Sequence, residues 1–339
     1  MKKMFKKMTA VIAGMGVAAT AFAAPMLING AGATFPYPIY SKWFDVYSKV
    51  NPDARFNYQS IGSGGGIKQI SAGTVDFGAT DGPMTDQQMS EAPGRLLHIP
   101  TVMGAVVVAY NLPGVEKGLK LTPDIIAGIF LGKITKWNDA KITSANPGLN
   151  IPDMSIIVAH RSDGSGTTFI FVDYLCSVNG EWKLGVGKGT SVNWPVGLGG
   201  KGNEGVAGIV KQTPGSIGYV ELSYALKNNL GYGFVQNKSG NFIEPSIDST
   251  SKAAAGVAIP SDFRVSLVNS ANAEAYPISG FTWLLIYKNQ KDPVRGKALV
   301  DFVKWAVHDG QKYASELLYA PLPQDVVAMI DKKLEEVKY

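Results

Sequence analysis

The chain has 339 residues, 45% of them hydrophobic and 17% charged, a composition that excludes disorder and a membrane-embedded protein. Its length suggests about two domains, because single cores stop growing near ~250–300 residues. The net charge of +5 is concentrated in Lys2, Lys3, Lys6 and Lys7, with no acid among residues 1–23, so the remainder carries +1 and offers no basic patch for nucleic acid.

The first segment reads as a cleaved signal peptide, residues 1–23. The four lysines precede an apolar, small-residue run from Met8 to Ala19, and Ala21-Phe22-Ala23 fits a small-x-small cleavage site. Cleavage is expected after Ala23 or Ala24. The run is too short and too rich in alanine and glycine to span a bilayer of ~20 apolar residues. No cysteine follows that could carry a lipid. The expected location is a periplasm, with the protein free and monomeric. Cys176 stands alone, which excludes an intramolecular disulfide.

Beyond residue 24, short strands alternate with helical runs. Met26–Ile28, Arg55–Gln59 and Val75–Gly78 read as strands, with a helix around Trp43 and Tyr47 between the first two. Trp43, Phe44 and Tyr47 are expected in the core. Met103–Asn111 is a nearly continuous apolar run, as expected of a strand buried on both faces. Thr122 caps a helix with Pro123 at its first position. Ile156–Val158 is a strand, 202–211 a short helix, and Ser216–Val220 a strand ending at Glu221. Residues 236–262 read as loop with one helix at most. Phe281–Lys288 is a second long apolar strand, followed by helices over 296–307 and about 323–336. This alternation predicts an α/β fold with helices on both faces of a sheet. The two long apolar strands are taken as crossovers that form a hinge. Residues 24–107 plus 280–339 then make a discontinuous lobe I, and 108–279 make lobe II.

Val158-Ala-His-Arg-Ser-Asp-Gly-Ser-Gly-Thr-Thr-Phe169 carries the clearest chemistry. A strand runs through a glycine turn into a helical run in which Phe169, Val172, Leu175 and Cys176 share one side. Free N–H groups and the positive end of the helix dipole gather at such a start. Gly164 and Gly166 permit close backbone approach, Ser165, Thr167 and Thr168 add hydroxyls, and Arg161 supplies a planar fork with Asp163 to hold it. The turn serves equally as a simple helix cap. Two similar turns, Gly30–Pro38 and Ser60–Gly66, also open helices, and Asp81 follows a strand-like segment.

Six stretches in order, Gly30-Ala-Gly-Ala-Thr-Phe-Pro36, Ile61-Gly-Ser-Gly-Gly-Gly66, Val75-Asp-Phe-Gly-Ala-Thr-Asp81, Arg161-Ser-Asp-Gly-Ser-Gly-Thr167, Gly197-Leu-Gly-Gly-Lys-Gly202 and Pro214-Gly-Ser-Ile-Gly-Tyr219, resemble the periplasmic phosphate-binding proteins of Pst-type ABC importers. The resemblance implies a two-lobed periplasmic-binding-protein fold, type II-like, with a ligand cleft between the lobes. It implies a phosphate site of Thr34, Phe35, Ser63, Asp81, Arg161, Ser165, Gly166 and Thr167, with Asp163 behind Arg161. It implies transient delivery to inner-membrane ABC permease subunits, no cofactor and no enzymatic activity. Asp81 would accept the proton that phosphate carries and sulfate lacks, although an aspartate before Gly82-Pro83 also suits a turn. A phosphate-scavenging or adhesion protein of the same fold is the alternative. A phosphatase is less favoured, since Ser165 lies outside a Gly-x-Ser-x-Gly frame and no P-loop match occurs. His98, His160 and His308 show no metal-ligand spacing; His160 abuts Arg161.

Overall fold

The computed structural model describes residues 25–339, so the expected signal peptide lies outside the described residues. The N-terminal part forms β1 (Met26–Gly32), α1 (Tyr37–Val50), β2 (Ala54–Ser60), α2 (Ser63–Ser71), β3 (Phe77–Thr80), α3 (Asp86–Glu91) and the long β4 (Leu96–Tyr110). The middle part forms β5 (Lys120–Leu121), α4 (Pro123–Phe130), α5 (Ala140–Ala145), β6 (Ile157–Arg161), α6 (Gly166–Val178), α7 (Gly180–Gly185), β7 (Leu198–Gly200), α8 (Gly202–Gln212), β8 (Ser216–Glu221), α9 (Leu222–Lys227), β9 (Gly231–Tyr232), β10 (Phe234–Gln236), β11 (Phe242–Ile243) and α10 (Ile247–Ala254). The chain returns through β12 (Ser279–Tyr287), α11 (Pro293–Val307), α12 (Lys312–Glu316) and α13 (Gln324–Leu334).

Strand β4 ties the two lobes together. Every one of its residues is buried. From Leu96 to Ala105 it pairs antiparallel with β12; from Val106 to Tyr110 it pairs with β8 instead. The handover falls between adjacent residues, so one strand belongs to both lobes. The sheet runs in the order β2-β1-β3-β12-β4-β8-β6-β7, with β1, β2 and β3 parallel on one side and β8, β6 and β7 parallel on the other. A separate sheet, β11-β10-β5, belongs to the middle lobe.

β4 begins seven residues earlier than its apolar run predicts, because His98, Pro100 and Thr101 interrupt the pattern. The ladder accommodates the proline with a bulge: Val102 faces Thr282 and Pro100 faces Trp283, leaving Thr101 between them. Thr101 turns its hydroxyl to the Thr282 carbonyl and to the Tyr40 hydroxyl. Helix α4 starts as read, with the Thr122 hydroxyl accepting the Ile125 N–H. In 236–262 the one helix is α10. Helix α6 departs from expectation. Ile170 through Leu175 are all buried, while Phe169 and Cys176, expected on the inner side, are half-exposed. Asp173 can lie in that burial because Lys188 and the Ser266 hydroxyl bond its two oxygens, at 2.7 and 2.6 Å.

The N-terminal lobe is organised by aromatic rings. Phe302 of α11 lies 4.4 Å from Phe56, 5.2 Å from Tyr47 and 5.3 Å from Phe44, centroid to centroid. Trp43 is fully buried and donates its indole N–H to the Gly310 carbonyl. Phe302 thus joins the C-terminal helices to the first strands. Phe302→Ala is expected to cost about 3–5 kcal/mol, read as a lower urea midpoint for the transition that quenches tryptophan fluorescence; a loss under ~1 kcal/mol would contradict this packing account.

Candidate functional site

The Val158–Phe169 stretch folds as its residues suggest. Strand β6 ends at Arg161, and α6 starts at Gly166 with Ser165 as N-cap, its hydroxyl accepting the Thr168 N–H at 3.0 Å. The Phe169 N–H reaches the Ser165 carbonyl. The N–H groups of Gly166 and Thr167, the first two of the helix, have no acceptor within it and point off its positive end.

Arg161 is 3% exposed, and its charge is met on one side only. Asp163 binds it as a fork, Nε to Oδ1 at 2.8 Å and Nη2 to Oδ2 at 2.5 Å. Burial works to raise the Asp163 carboxyl, but the hydrogen bonds and charge of Arg161 and the Gly202 N–H outweigh it and hold the group below the usual range. Nη1 donates to the Thr167 hydroxyl at 3.3 Å. The Tyr219 hydroxyl accepts the Arg161 backbone N–H and bonds Thr168. Tyr219 stacks on Phe171 and Trp194, and Trp194 in turn stacks on His160. The strand end that carries Arg161 is therefore clamped from both sides.

The N-terminal lobe meets this turn directly. The Gly64 N–H donates to the Gly164 carbonyl at 2.9 Å, across the cleft. Gly62, which precedes α2, takes φ +86°, and a Cβ there would strike Asp163 Oδ2 at 2.3 Å, so glycine is required on both counts. A Cβ on Gly166 would fall 2.4 Å from Asp81 Oδ2 and 2.5 Å from Ser63 Oγ. Asp81 and Ser63 thus lie against the start of α6. Asp81 is 1% exposed; its N–H bonds Ser63 Oγ at 3.1 Å, and its Oδ1 has no hydrogen-bond partner. Burial pushes its carboxyl up to about 7, against the pull of the neighbouring Thr282 hydroxyl, the Arg161 charge and Ser63.

Thr34 and Phe35 arrive from the turn after β1, both buried. The Thr34 carbonyl accepts the Tyr224 hydroxyl and the Phe35 carbonyl the Tyr319 hydroxyl, which fixes the peptide on either side of the Phe35 N–H. Thr34 Oγ1 is held by Asn203, at the start of α8.

All eight residues expected in the site, with Asp163 behind Arg161, are brought to one buried junction between the lobes. The arrangement gathers N–H, O–H and guanidinium donors beside the Asp81 carboxyl, whose Oδ1 lacks a partner. Such a set is suited to an oxyanion that carries a proton.

A PBP superfamily domain matches residues 17–309 of the chain. The phosphate-binding protein PstS of Xylella fastidiosa is 50% identical over 307 residues, 90% of this chain and 84% of that protein. PstS of Haemophilus influenzae is 46% identical over 312 residues, 91% and 92% of the two chains. The chain belongs to the PstS family. Among solved structures, a phosphate ABC transporter substrate-binding protein with bound phosphate from Clostridium perfringens aligns with a TM-score of 0.65 at 18% identity, covering 88% of this chain and all of that one. A phosphate-binding protein from Stenotrophomonas maltophilia aligns with a TM-score of 0.68 at 20% identity, covering 91% and 93%.

Four residues of this PstS-family junction carry no site role in a reading of the sequence alone. Tyr219 closes the Pro214–Tyr219 stretch and anchors Arg161; Asn203 follows the Gly197–Gly202 loop. Thr282 sits beside Asp81 on β12 and gives no local signal. Glu221 is the fourth. It is fully buried at the β4 handover and pairs in register with Val106. Its Oε2 accepts the Ser223 N–H at 2.9 Å and lies beside the Ser223 and Tyr319 hydroxyls, while Oε1 is unpartnered. Burial pushes this carboxyl up to about 8. His160 bonds the Arg161 carbonyl through Nδ1; His98 accepts the Met84 N–H, and burial takes it down to about 3.

Asp81 and Glu221 share a sign. A carboxyl raised in the folded state binds its proton more tightly there, so its contribution favours folding at low pH and is lost as pH rises. The window runs from the ordinary 3.8 to about 7 for Asp81 and from 4.5 to about 8 for Glu221. In phosphate-free buffer the melting temperature is expected to fall between pH 5 and 8, and Glu221→Gln should flatten that fall. An unchanged slope in the variant would mean that Glu221 is ionised throughout the range.

Proposed function

We propose that this chain binds inorganic phosphate at the lobe junction and delivers it to the membrane permease of an ABC-type importer from the periplasm. The binding residues are Thr34, Phe35, Ser63, Asp81, Arg161, Ser165, Gly166 and Thr167. The observation that carries the reading is an unpartnered acceptor, Asp81 Oδ1, beside many donors. The PstS relatives at 46–50% identity support it. Lobes I (24–107 plus 280–339) and II (108–279) close on the anion by bending at β4 and at the chain before β12, since β12 itself, expected as the second crossover, pairs among the described residues only with β3 and the first part of β4. No helix of the described residues is long and apolar enough to cross a membrane, in keeping with a protein free to shuttle. The site captures and does not cleave, since a hydrolase would need an activated nucleophile and Ser165 instead uses its hydroxyl to cap α6. Ligand held by both lobes stabilises the fold by RT ln(1 + [L]/Kd), roughly 4 kcal/mol at a thousandfold excess. Millimolar phosphate is expected to raise the melting temperature of stripped protein by several degrees, with no effect of chloride at equal ionic strength and no release of phosphate from a chromogenic ester. Absence of the phosphate shift would remove the proposed ligand.

Asp81 sets the choice of anion. Phosphate near neutral pH still carries a proton, the second ionisation of inorganic phosphate lying about a unit above the ~6 of phosphoryl groups. Sulfate carries none, and its bare oxygens would face the carboxylate in a dry cleft, a like-charge contact costing several kcal/mol. An amide at this position donates where the carboxylate accepts. Asp81→Asn is therefore expected to keep some phosphate binding and to lose much of the discrimination against sulfate. Competition of unlabelled sulfate against radiolabelled phosphate reads this directly; equal exclusion of sulfate by both proteins would assign selectivity elsewhere.

A further inference from the structure

Asn203 is fully buried at the start of α8, and each polar atom of its side chain has a partner. Its Oδ1 accepts the Glu221 N–H at 3.0 Å, which fixes which way the amide faces. Nδ2 therefore points at two threonines, one from each lobe: Thr34 Oγ1 at 2.8 Å and Thr167 Oγ1 at 3.1 Å. Its backbone N–H reaches Thr34 Oγ1 as well, at 3.2 Å.

A hydroxyl has two lone pairs and one hydrogen. Thr34 Oγ1 accepts twice, from the amide and the backbone N–H of Asn203. Thr167 Oγ1 also accepts twice, from Asn203 Nδ2 and from Arg161 Nη1 at 3.3 Å. With both lone pairs taken, each oxygen has only its hydrogen left to offer.

We propose that Asn203 is a positioning residue that makes the Thr34 and Thr167 hydroxyls obligate donors to the anion, linking the two lobes as it does so. The inference rests on the phosphate reading above. Neither threonine then competes with Asp81 for the ligand's proton. Replacing the amide by a carboxylate inverts the arrangement: Asn203→Asp accepts the two hydroxyl hydrogens and turns their lone pairs toward the anion.

Phosphate affinity by calorimetry tests this in wild type, Asn203→Ala and Asn203→Asp, each with Thr34 intact and with Thr34→Val. The Ala variant is expected to bind about tenfold more weakly and the Asp variant at least about tenfold more weakly again. Part of the Asp penalty is plain charge repulsion, which survives in the Thr34→Val background together with the share exerted through Thr167; the share exerted through Thr34 does not. Both penalties should therefore be smaller when Thr34 is Val, by the share that Thr34 carries. Should the Ala variant melt below the assay temperature, Asn203→Ser takes its place in the cycle. Undiminished penalties in the Thr34→Val proteins would overturn the orienting role while leaving the phosphate site intact. Wild-type protein that binds no phosphate would instead overturn the site reading itself.

Discussion

A guanidinium removed from water must be hydrogen-bonded on every side or the fold bears its full desolvation cost. Arg161, at 3% exposure, meets that demand only in part within the chain, and the junction is arranged around what is left. Asp163 takes its fork, Thr167 takes one Nη1 hydrogen, and Tyr219 holds the backbone behind it. The pair of Arg161 and Asp163 is formally neutral. What remains to attract an anion is directional: N–H groups at the starts of α2 and α6, fixed hydroxyls, and the face of the guanidinium turned away from Asp163. This is why the chain beyond residue 23 needs no more than a net charge of +1 to read as an anion binder.

The same demand explains the glycines. Donors can converge on a buried point only if the backbones that carry them come nearly into contact. Gly64 meets Gly164, and Gly166 meets Asp81 and Ser63, at separations where a methyl group would fall 3.0 Å or less from its neighbours. The glycines are steric requirements of the closed junction, and the alternation of glycine with hydroxyl residues follows from having to supply approach and donors in the same few positions.

How far the sequence reveals this depends on whether a residue announces its role locally. Arg161, Ser165 and Thr167 lie close together between a strand and a helix, and the chemistry is visible in the spacing. The fold class follows from alternating apolar runs, and β4 and β12 are conspicuous because burial on both faces leaves no polar alternation. Asp81 is an ordinary turn aspartate by pattern; only the order of the six stretches gives it a role. Thr282 and Asn203 are joined to the site by tertiary contacts, Thr282 from far along the chain on β12, and no periodicity reports that. The all-round burial of α6 escapes a helical-face reading for a related reason: the partners that let Asp173 lie inside, Lys188 and Ser266, come from later loops.

The buried carboxyls add a last constraint on the proposed site. Burial raises the Asp81 carboxyl toward the range in which inorganic phosphate exchanges its second proton, so the two titrate as a coupled pair. Near neutral pH phosphate is a mixture of monoanion and dianion, and either form brings a proton that an ionised Asp81 can accept. Asp81 Oδ1 has room for one such proton, and the Thr34 and Thr167 hydroxyls beside it are donors already. An anion with no proton brings a repulsion if Asp81 is ionised, and one with two protons must surrender one or leave a donor facing a donor. Selectivity at Asp81 therefore comes from counting hydrogens, and it holds only while the neighbouring threonine hydroxyls are kept from accepting. Orientation of the hydroxyls and burial of Asp81 are two halves of one device, and the close contact between the lobes is what keeps water from undoing either.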